Sequence, residues 1–256
     1  MQLILQDITK AFGEKSVLTG ASFTFEKGKI YGLLGRNGAG KTTLFNCLSG
    51  ELPPDSGAAV VQFGDAEKPL TPEDIGYVFS TPILPEFMTG YEFLKFYIEI
   101  HKNIPQTASI DDYFELVGIE PQDRHRLIKG YSHGMKNKVQ MLCFLIAKPP
   151  IILLDEPLTS FDVVAALEMK NLLRDIKKDH VIIFSTHILQ LATDLCDEIV
   201  ILNGGALSQM DTALLHSKEF EEKIIEILRD PPHQPEAPPA AAASPKSAFS
   251  LRGKRR

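Results

Sequence analysis

Three glycines, a cation and a hydroxyl fall within eight positions in Gly35-x-x-Gly38-x-Gly40-Lys41-Thr42. Glycines let backbone N–H groups converge on an anion, and a helix that follows adds the positive end of its dipole. The stretch Gly35, Arg36, Asn37, Gly38, Ala39, Gly40, Lys41, Thr42 and Thr43 therefore reads as a phosphate cradle. Lys41 supplies a point charge for the β- and γ-phosphates, and the Thr42 hydroxyl suits Mg²⁺. The ligand expected is a nucleoside triphosphate with Mg²⁺. A second stretch, Ile151-Ile152-Leu153-Leu154-Asp155-Glu156, ends four apolar residues in two adjacent carboxylates. Such charges are costly to bury without a partner. A magnesium–phosphate cluster at the end of the strand would supply one, with Asp155 on the metal side and Glu156 toward the attacking water.

Both stretches need strands to carry them. Leu3 and Leu5, then Ala21, Phe23 and Phe25, alternate with polar residues as strands do. Lys29–Leu34 is a short apolar run entering the glycine loop, and Thr42–Ser49 is helical until Gly50 and Pro53-Pro54. Strand-like runs recur at Ala58–Phe63 and Ile75–Phe79. From about Glu92 to Arg126 the pattern turns helical, with a capping box at Ser109-x-x-Asp112 and a stop at Gly118. Met135, Val139, Leu142 and Ile146 mark one buried helical face. Strand Ile151–Asp155, helix Val163–Lys177, strand Val181–Ser185, helix Ile188–Cys196 and strand Ile199–Leu202 then alternate, which implies a doubly wound α/β core.

Composition narrows the class. Hydrophobic residues at 44% and charged residues at 23% of 256 suit a globular protein that buries a core. The net charge of -6 divides into +4 over residues 231–256 and -10 over the rest. An acidic folded part argues against a nucleic-acid partner. Cys47, Cys143 and Cys196 show no metal or disulfide spacing and read as small core residues. No signal sequence opens the chain, and no apolar run reaches the roughly 18 residues of a membrane span. A soluble, cytoplasmic protein is expected. Residues 231–256, in which Pro and Ala supply 12 of 26 positions, read as a disordered tail. Its basic end, Arg252 to Arg256, fits a solvated tail better than a contact with anionic lipid.

With both phosphate motifs in hand, the sequence resembles the ATP-binding subunits of ABC transporters over about residues 2–220. The 114 residues from Lys41 to Asp155 leave room for a helical insertion. Tyr131-Ser132-His133-Gly134-Met135 looks like the signature sequence of that family. Asp162, in Thr159–Asp162, looks like its D-loop, and Ser185-Thr186-His187 is similar to its switch-histidine motif. Phe12 falls where the family places an aromatic ring against adenine.

The resemblance implies an α/β fold: a P-loop NTPase core with a mixed sheet, an N-terminal antiparallel β subdomain and an inserted helical subdomain at about 81–132. It implies an ATPase domain over 1–230 and a head-to-tail dimer, with a second copy or a paralogue. Ser132 and Gly134 of one domain would then meet the γ-phosphate held by the other. Glu156 would be the general base, with His187 and Lys41 at the γ-phosphate. The chain would power a separate integral-membrane permease, docked near Thr81–Tyr97, from the inner face of the cell membrane. Phe87, Met88, Tyr91, Phe93 and Phe96 fit either that docking surface or the subdomain's own core. A compact chain with a YSHGM-type signature resembles the exporter subunits. The rival readings are a soluble ABC ATPase outside transport and a nucleotide-gated regulator with low turnover.

Two departures from the family pattern stand out. Ser80 occupies the position of a glutamine that reaches Mg²⁺ and reports to the membrane partner; a serine is shorter and lacks the amide. Tyr131, His133 and Met135 stand where Leu, Gly and Gln are commoner. ATP binding is expected to be intact and coupling unusual.

Overall fold

The computed structural model describes residues 1–106, 108–157, 163–210 and residues 222, 224, 226 and 227. Asp162 with its Thr159–Asp162 segment, and the 231–256 tail, lie outside the described residues.

The chain opens with β1 (Gln2–Phe12) and β2 (Lys15–Glu26), joined by a turn at Gly13-Glu14, and then β3 (Ile30–Leu34) leads into α1 (Lys41–Ser49). β4 (Ser56–Phe63), β5 (Ala66–Pro69) and β6 (Ile75–Val78) follow. Four helices come next: α2 (Gly90–Ile100), α3 (Ile110–Leu116), α4 (Pro121–Arg124) and α5 (His133–Ala147). β7 (Ile151–Asp155), α6 (Val163–Ile176), β8 (Val181–Thr186), α7 (Leu189–Leu195), β9 (Glu198–Asn203) and β10 (Ala206–Gln209) complete the described elements. The strands form an antiparallel sheet ordered β2-β1-β4-β5 and a mixed sheet ordered β10-β9-β3-β8-β7-β6. Among the described residues, only the β9–β10 pair of the second sheet is antiparallel.

The central strands are apolar throughout because both of their faces are covered. Ile151 and Leu153 of β7, and Val181 and Ile183 of β8, point into a core shared with Leu3, Phe25, Leu44 and Phe45. The alternate residues Ile152, Leu154, Ile182 and Phe184 point into a second core, with Leu94, Phe114, Val139 and Leu142 of the inserted helices. The glycine loop and the acidic pair thus stand on strands gripped from both sides.

Helix starts follow local chemistry. Ser109 and Asp112 form the expected capping box, and Thr89 with Glu92 forms a second at the start of α2; each cap is worth about 1 kcal/mol. Of the expected α5 face, Val139, Leu142 and Ile146 are fully buried and Met135 is half-buried. The helix ends at Lys148, whose left-handed φ of 46° precedes Pro149-Pro150.

The β9–β10 turn fixes the two sheets to each other. Thr19 donates its backbone N–H to Gly205 O at 3.0 Å and its hydroxyl to Gly204 O at 2.8 Å. A Cβ on Gly205 would lie 2.8 Å from Val17 O, so only glycine seats there.

One buried titratable group sets a pH dependence. The His180 ring, 8% exposed, lies with Nδ1 2.6 Å from Pro149 O. A carbonyl only accepts, so Nδ1 carries the proton. Burial lowers the His180 pKa from its ordinary value. The unfolded chain therefore takes up a proton before the folded one does, and stability falls as the pH drops below about 6.5. Thermal melts between pH 7.5 and 5.5 should show this loss. His180→Asn, which keeps an N–H donor, should flatten the dependence.

Candidate functional site

The phosphate loop runs from the end of β3 to the first residue of α1, so the N-terminus of that helix opens onto it. Gly40 caps α1 with φ 105°, and a Cβ there would come 2.8 Å from Val17 Cγ1. Any other residue would lift the loop off β2.

Lys41 is 6% exposed. Its Nζ donates to Gly35 O at 2.8 Å and Arg36 O at 3.3 Å, and lies 3.9 Å from Glu156 Oε1. Burial lowers its pKa, while the carboxylates of Glu156 and Asp155 oppose that shift. The amine is folded back on its own loop, donating to that loop's carbonyls.

Asp155, 2% exposed, is anchored from two sides. Its Oδ2 accepts from Thr42 Oγ1 at 2.7 Å and its Oδ1 accepts from Ser185 Oγ. Ser185 Oγ also accepts from the Glu156 N–H at 3.1 Å. One hydroxyl on β8 thus orients the Asp155 carboxylate and pins the backbone of its neighbour. Sequence reasoning placed Ser185 inside a motif but gave it no role. The available signal was a hydroxyl closing an apolar strand, VIIFST, that is buried throughout.

Glu156 follows in a left-handed conformation, φ 48°, rare for a residue with a side chain. That bend turns its carboxylate away from the strand line, where Oε1 meets His187 Nδ1 at 2.9 Å. A carboxylate accepts, so Nδ1 carries the proton and Nε2 is left as the ring's second nitrogen.

Phe12, Lys41, Thr42, Ser80, Asp155 and Glu156 line a cleft of about 560 Å³; Ser185 and His187 stand behind Asp155 and Glu156 rather than on its walls. Asn37, Gly38, Gly40 and Thr43 line it as well, while Gly35, Arg36 and Ala39 complete the loop. Phe12, 52% exposed at the last residue of β1, presents its ring at the mouth. Ser80 lies two residues beyond β6 and makes no hydrogen bond among the described residues. Ser132 and Gly134 are not on the cleft walls. Ser132 caps α5, where its Oγ accepts from Met135 N at 3.2 Å, which leaves the hydroxyl proton to donate elsewhere.

The donors suit magnesium. Thr42 and Asp155 set two hard oxygens side by side, and the Ser80 hydroxyl adds a third oxygen on the same cleft. Among the described residues no group of three or more His, Cys, Asp and Glu side chains is arranged to hold a metal. Mg²⁺ at nucleotide sites takes one or two carboxylates, with phosphate oxygens and water completing its shell. The residues present fit that division.

The sequence profile described as ABC transporter matches residues 18–159, more than half of the chain. The chain belongs to the ABC transporter family. Among its ABC relatives is the uncharacterized ATP-binding protein YxlF of Bacillus subtilis, 33% identical over 208 residues, 80% of this chain and 69% of that one. NatA of Bacillus subtilis, an ABC transporter ATP-binding protein, is 31% identical over 213 residues, 79% of this chain and 86% of its own. BcrA of Bacillus licheniformis, a bacitracin transport ATP-binding protein, is 31% identical over 229 residues, 86% and 72% of the two chains.

Solved structures agree on the fold. An ATP binding subunit of an ABC transporter superposes with a TM-score of 0.75 at 24% identity, over 89% of this chain and 99% of that one. A dimeric ATP-binding cassette holding ADP and Pi superposes at 0.70 and 20% identity, over 82% and 99%. The fold is thus the α/β P-loop NTPase fold of ABC cassettes, with the expected antiparallel sheet, mixed sheet and inserted helices. The chain is an ABC ATPase domain homologous to transporter ATP-binding subunits, and domains of this family bind ATP. No helix among the described residues is long and apolar enough to cross a membrane.

Proposed function

We propose that this chain binds and hydrolyses ATP to power transport by a separate membrane-spanning partner, with residues 1–230 as the ATPase domain and about 81–132 as its helical subdomain. The observation that carries the reading is the Glu156 carboxylate, bent out of line and bonded to His187 at 2.9 Å beside Lys41. A general base beside the cation of a phosphate loop has one evident task, the activation of water.

Phe12 stacks on the adenine, and the loop amides with Lys41 hold the β- and γ-phosphates. Bound Mg²⁺, held through Thr42 and Asp155 with Ser80 nearby, would offset charge on those phosphates. Glu156 accepts a proton from water as the water oxygen bonds to the γ-phosphorus. The bond from that phosphorus to the bridging oxygen breaks, and ADP leaves with the electron pair. His187, oriented by Glu156, contacts the γ-phosphate and registers its loss.

Ser132 and Gly134, away from the cleft, serve the nucleotide of a second ATPase domain packed head to tail. The Ser132 O–H and the N-terminal dipole of α5 would face the opposite γ-phosphate. The permease contacts the segment around Phe87, which is 81% exposed, and Ile83, which is 72% exposed. Phe93 by contrast is buried, and Met88 and Tyr91 pack against the helical core. That partner would hold the chain peripherally at the cytoplasmic face of the cell membrane. The likeness to BcrA supports transport, and the YSHGM form of the signature favours export.

Affinity purification of the tagged full chain from its own membranes should retain a protein with several membrane spans. Phe87→Asp should reduce that recovery at least severalfold while nucleotide still raises the melting temperature. Recovery without any membrane partner would sink the transport reading.

A further inference from the structure

The loop after β6 passes the nucleotide cleft at Ser80 and continues to α2, and α5 holds it at both ends. At the near end the Gln140 side-chain amide spans the backbone of Phe79. Its Oε1 accepts from Phe79 N and its Nε2 donates to Phe79 O, each at 3.4 Å. Phe79 lies one residue past β6, the outer strand of its sheet, and among the described residues no further strand is there to take these groups. At the far end Lys136 Nζ meets Glu86 Oε1 at 2.5 Å, and the Lys129 N–H donates to Glu86 O at 3.2 Å. The Glu86 carboxyl is held below its usual range by Lys136.

Lys136 and Gln140 are four residues apart, and Ser132 is four residues before Lys136. Side chains at that spacing stack on one helix face. One face of α5 therefore carries the grip on Glu86 and the grip on Phe79, and the helix that bears them starts at the Ser132 cap, whose hydroxyl is assigned to the partner's nucleotide. Among the described residues Ser80 makes no hydrogen bond, so none links its side chain to either neighbour.

We propose that Lys136 and Gln140 are positioning residues that clamp the 79–86 loop to α5 at two points, so that the loop and the Ser132 end move as one body with nucleotide state. This rests on the hydrolytic, dimeric reading above. The long path from Ser80 to Ser132 is then carried by backbone and helix rather than by a side chain reaching the metal.

The test compares the full-length wild type with Lys136→Glu, Glu86→Lys, the double charge swap and Gln140→Leu. ATP turnover, binding of a fluorescent ATP analogue and thermal melting are measured for each. The single variants should lower kcat about tenfold with KM and analogue affinity within about twofold of wild type. The double swap should recover most of the lost kcat. Unchanged kcat in Lys136→Glu and Gln140→Leu overturns the proposal, as does a parallel loss of kcat, affinity and melting temperature, which marks a merely structural role.

Hydrogen exchange reads the clamp without turnover. Amides between Ser80 and Phe87 should exchange faster in Lys136→Glu and return to the wild-type rate in the double swap. Unchanged exchange overturns the clamp even in an active enzyme. A wild type whose turnover does not depend on Glu156 overturns the hydrolytic reading instead, and the exchange result then decides the clamp.

Discussion

Glu156→Gln should lower kcat for ATP hydrolysis by about 10²–10⁴-fold while leaving nucleotide affinity near that of the wild type. The amide keeps the size of the side chain and an oxygen to accept from His187 Nδ1, so the 2.9 Å contact and the bend at φ 48° survive. What it loses is the capacity to take a proton from water. Removing a negative charge 3.9 Å from Lys41 also frees that amine for phosphate, so binding has no reason to weaken. Steady-state phosphate release and equilibrium binding of a fluorescent ATP analogue separate the two quantities. Equal turnover in wild type and variant would remove Glu156 as the base and return the chain to the class of nucleotide-gated regulators.

Lys41→Ala should act on the other step. A charged hydrogen-bonding partner of the phosphates is worth about 1.5–3 kcal/mol, which corresponds to roughly a 10- to 150-fold loss of affinity. Without nucleotide the variant should melt no lower than the wild type. The buried Lys41 amine has its pKa lowered, so the folded state already disfavours its charge, and alanine relieves that cost. The contrast is measurable by thermal melting: ATP raises the melting temperature of the wild type through binding linkage and does little for Lys41→Ala. A variant that melts well below the unliganded wild type would show that Lys41 holds the loop together.

Much of this arrangement was legible because it is local. The glycines, Lys41 and Thr42 sit in one contiguous run, and the strand that presents Asp155 and Glu156 is written as four apolar residues before two acids. The unbroken apolar runs of β7 and β8 also declared that both faces are covered, and the two cores confirm it. The Ser109 box was readable because a cap is decided within four residues.

Contacts between distant segments left no such trace. Ser185 orients Asp155 across 30 positions, and Gln140 reaches Phe79 across 61. No periodicity encodes those meetings. The short strands β5 and β10 escaped too, since AEKP and ALSQ are polar edges that pair only because a neighbouring strand is there. Even the bend at Glu156 could not be read, because glutamate has no preference for left-handed backbone; the hydrogen bonds from its N–H to Ser185 hold it there.

Val17 of β2 touches two places where only glycine fits, Gly40 at the foot of the phosphate loop and Gly205 in the β9–β10 turn. The same hairpin, through Lys15 opposite Phe12, carries the ring at the mouth of the cleft. One strand therefore sets the spacing between the aromatic seat and the helix N-terminus, as the frame of a caliper sets its jaws. With the base end and the phosphate end referenced to a common bar, nucleotides that share a base differ only in how far they extend past Lys41. On the proposed reading, such a geometry registers phosphate count by length, and Glu156 on the cleft wall is where a triphosphate and a diphosphate become different objects.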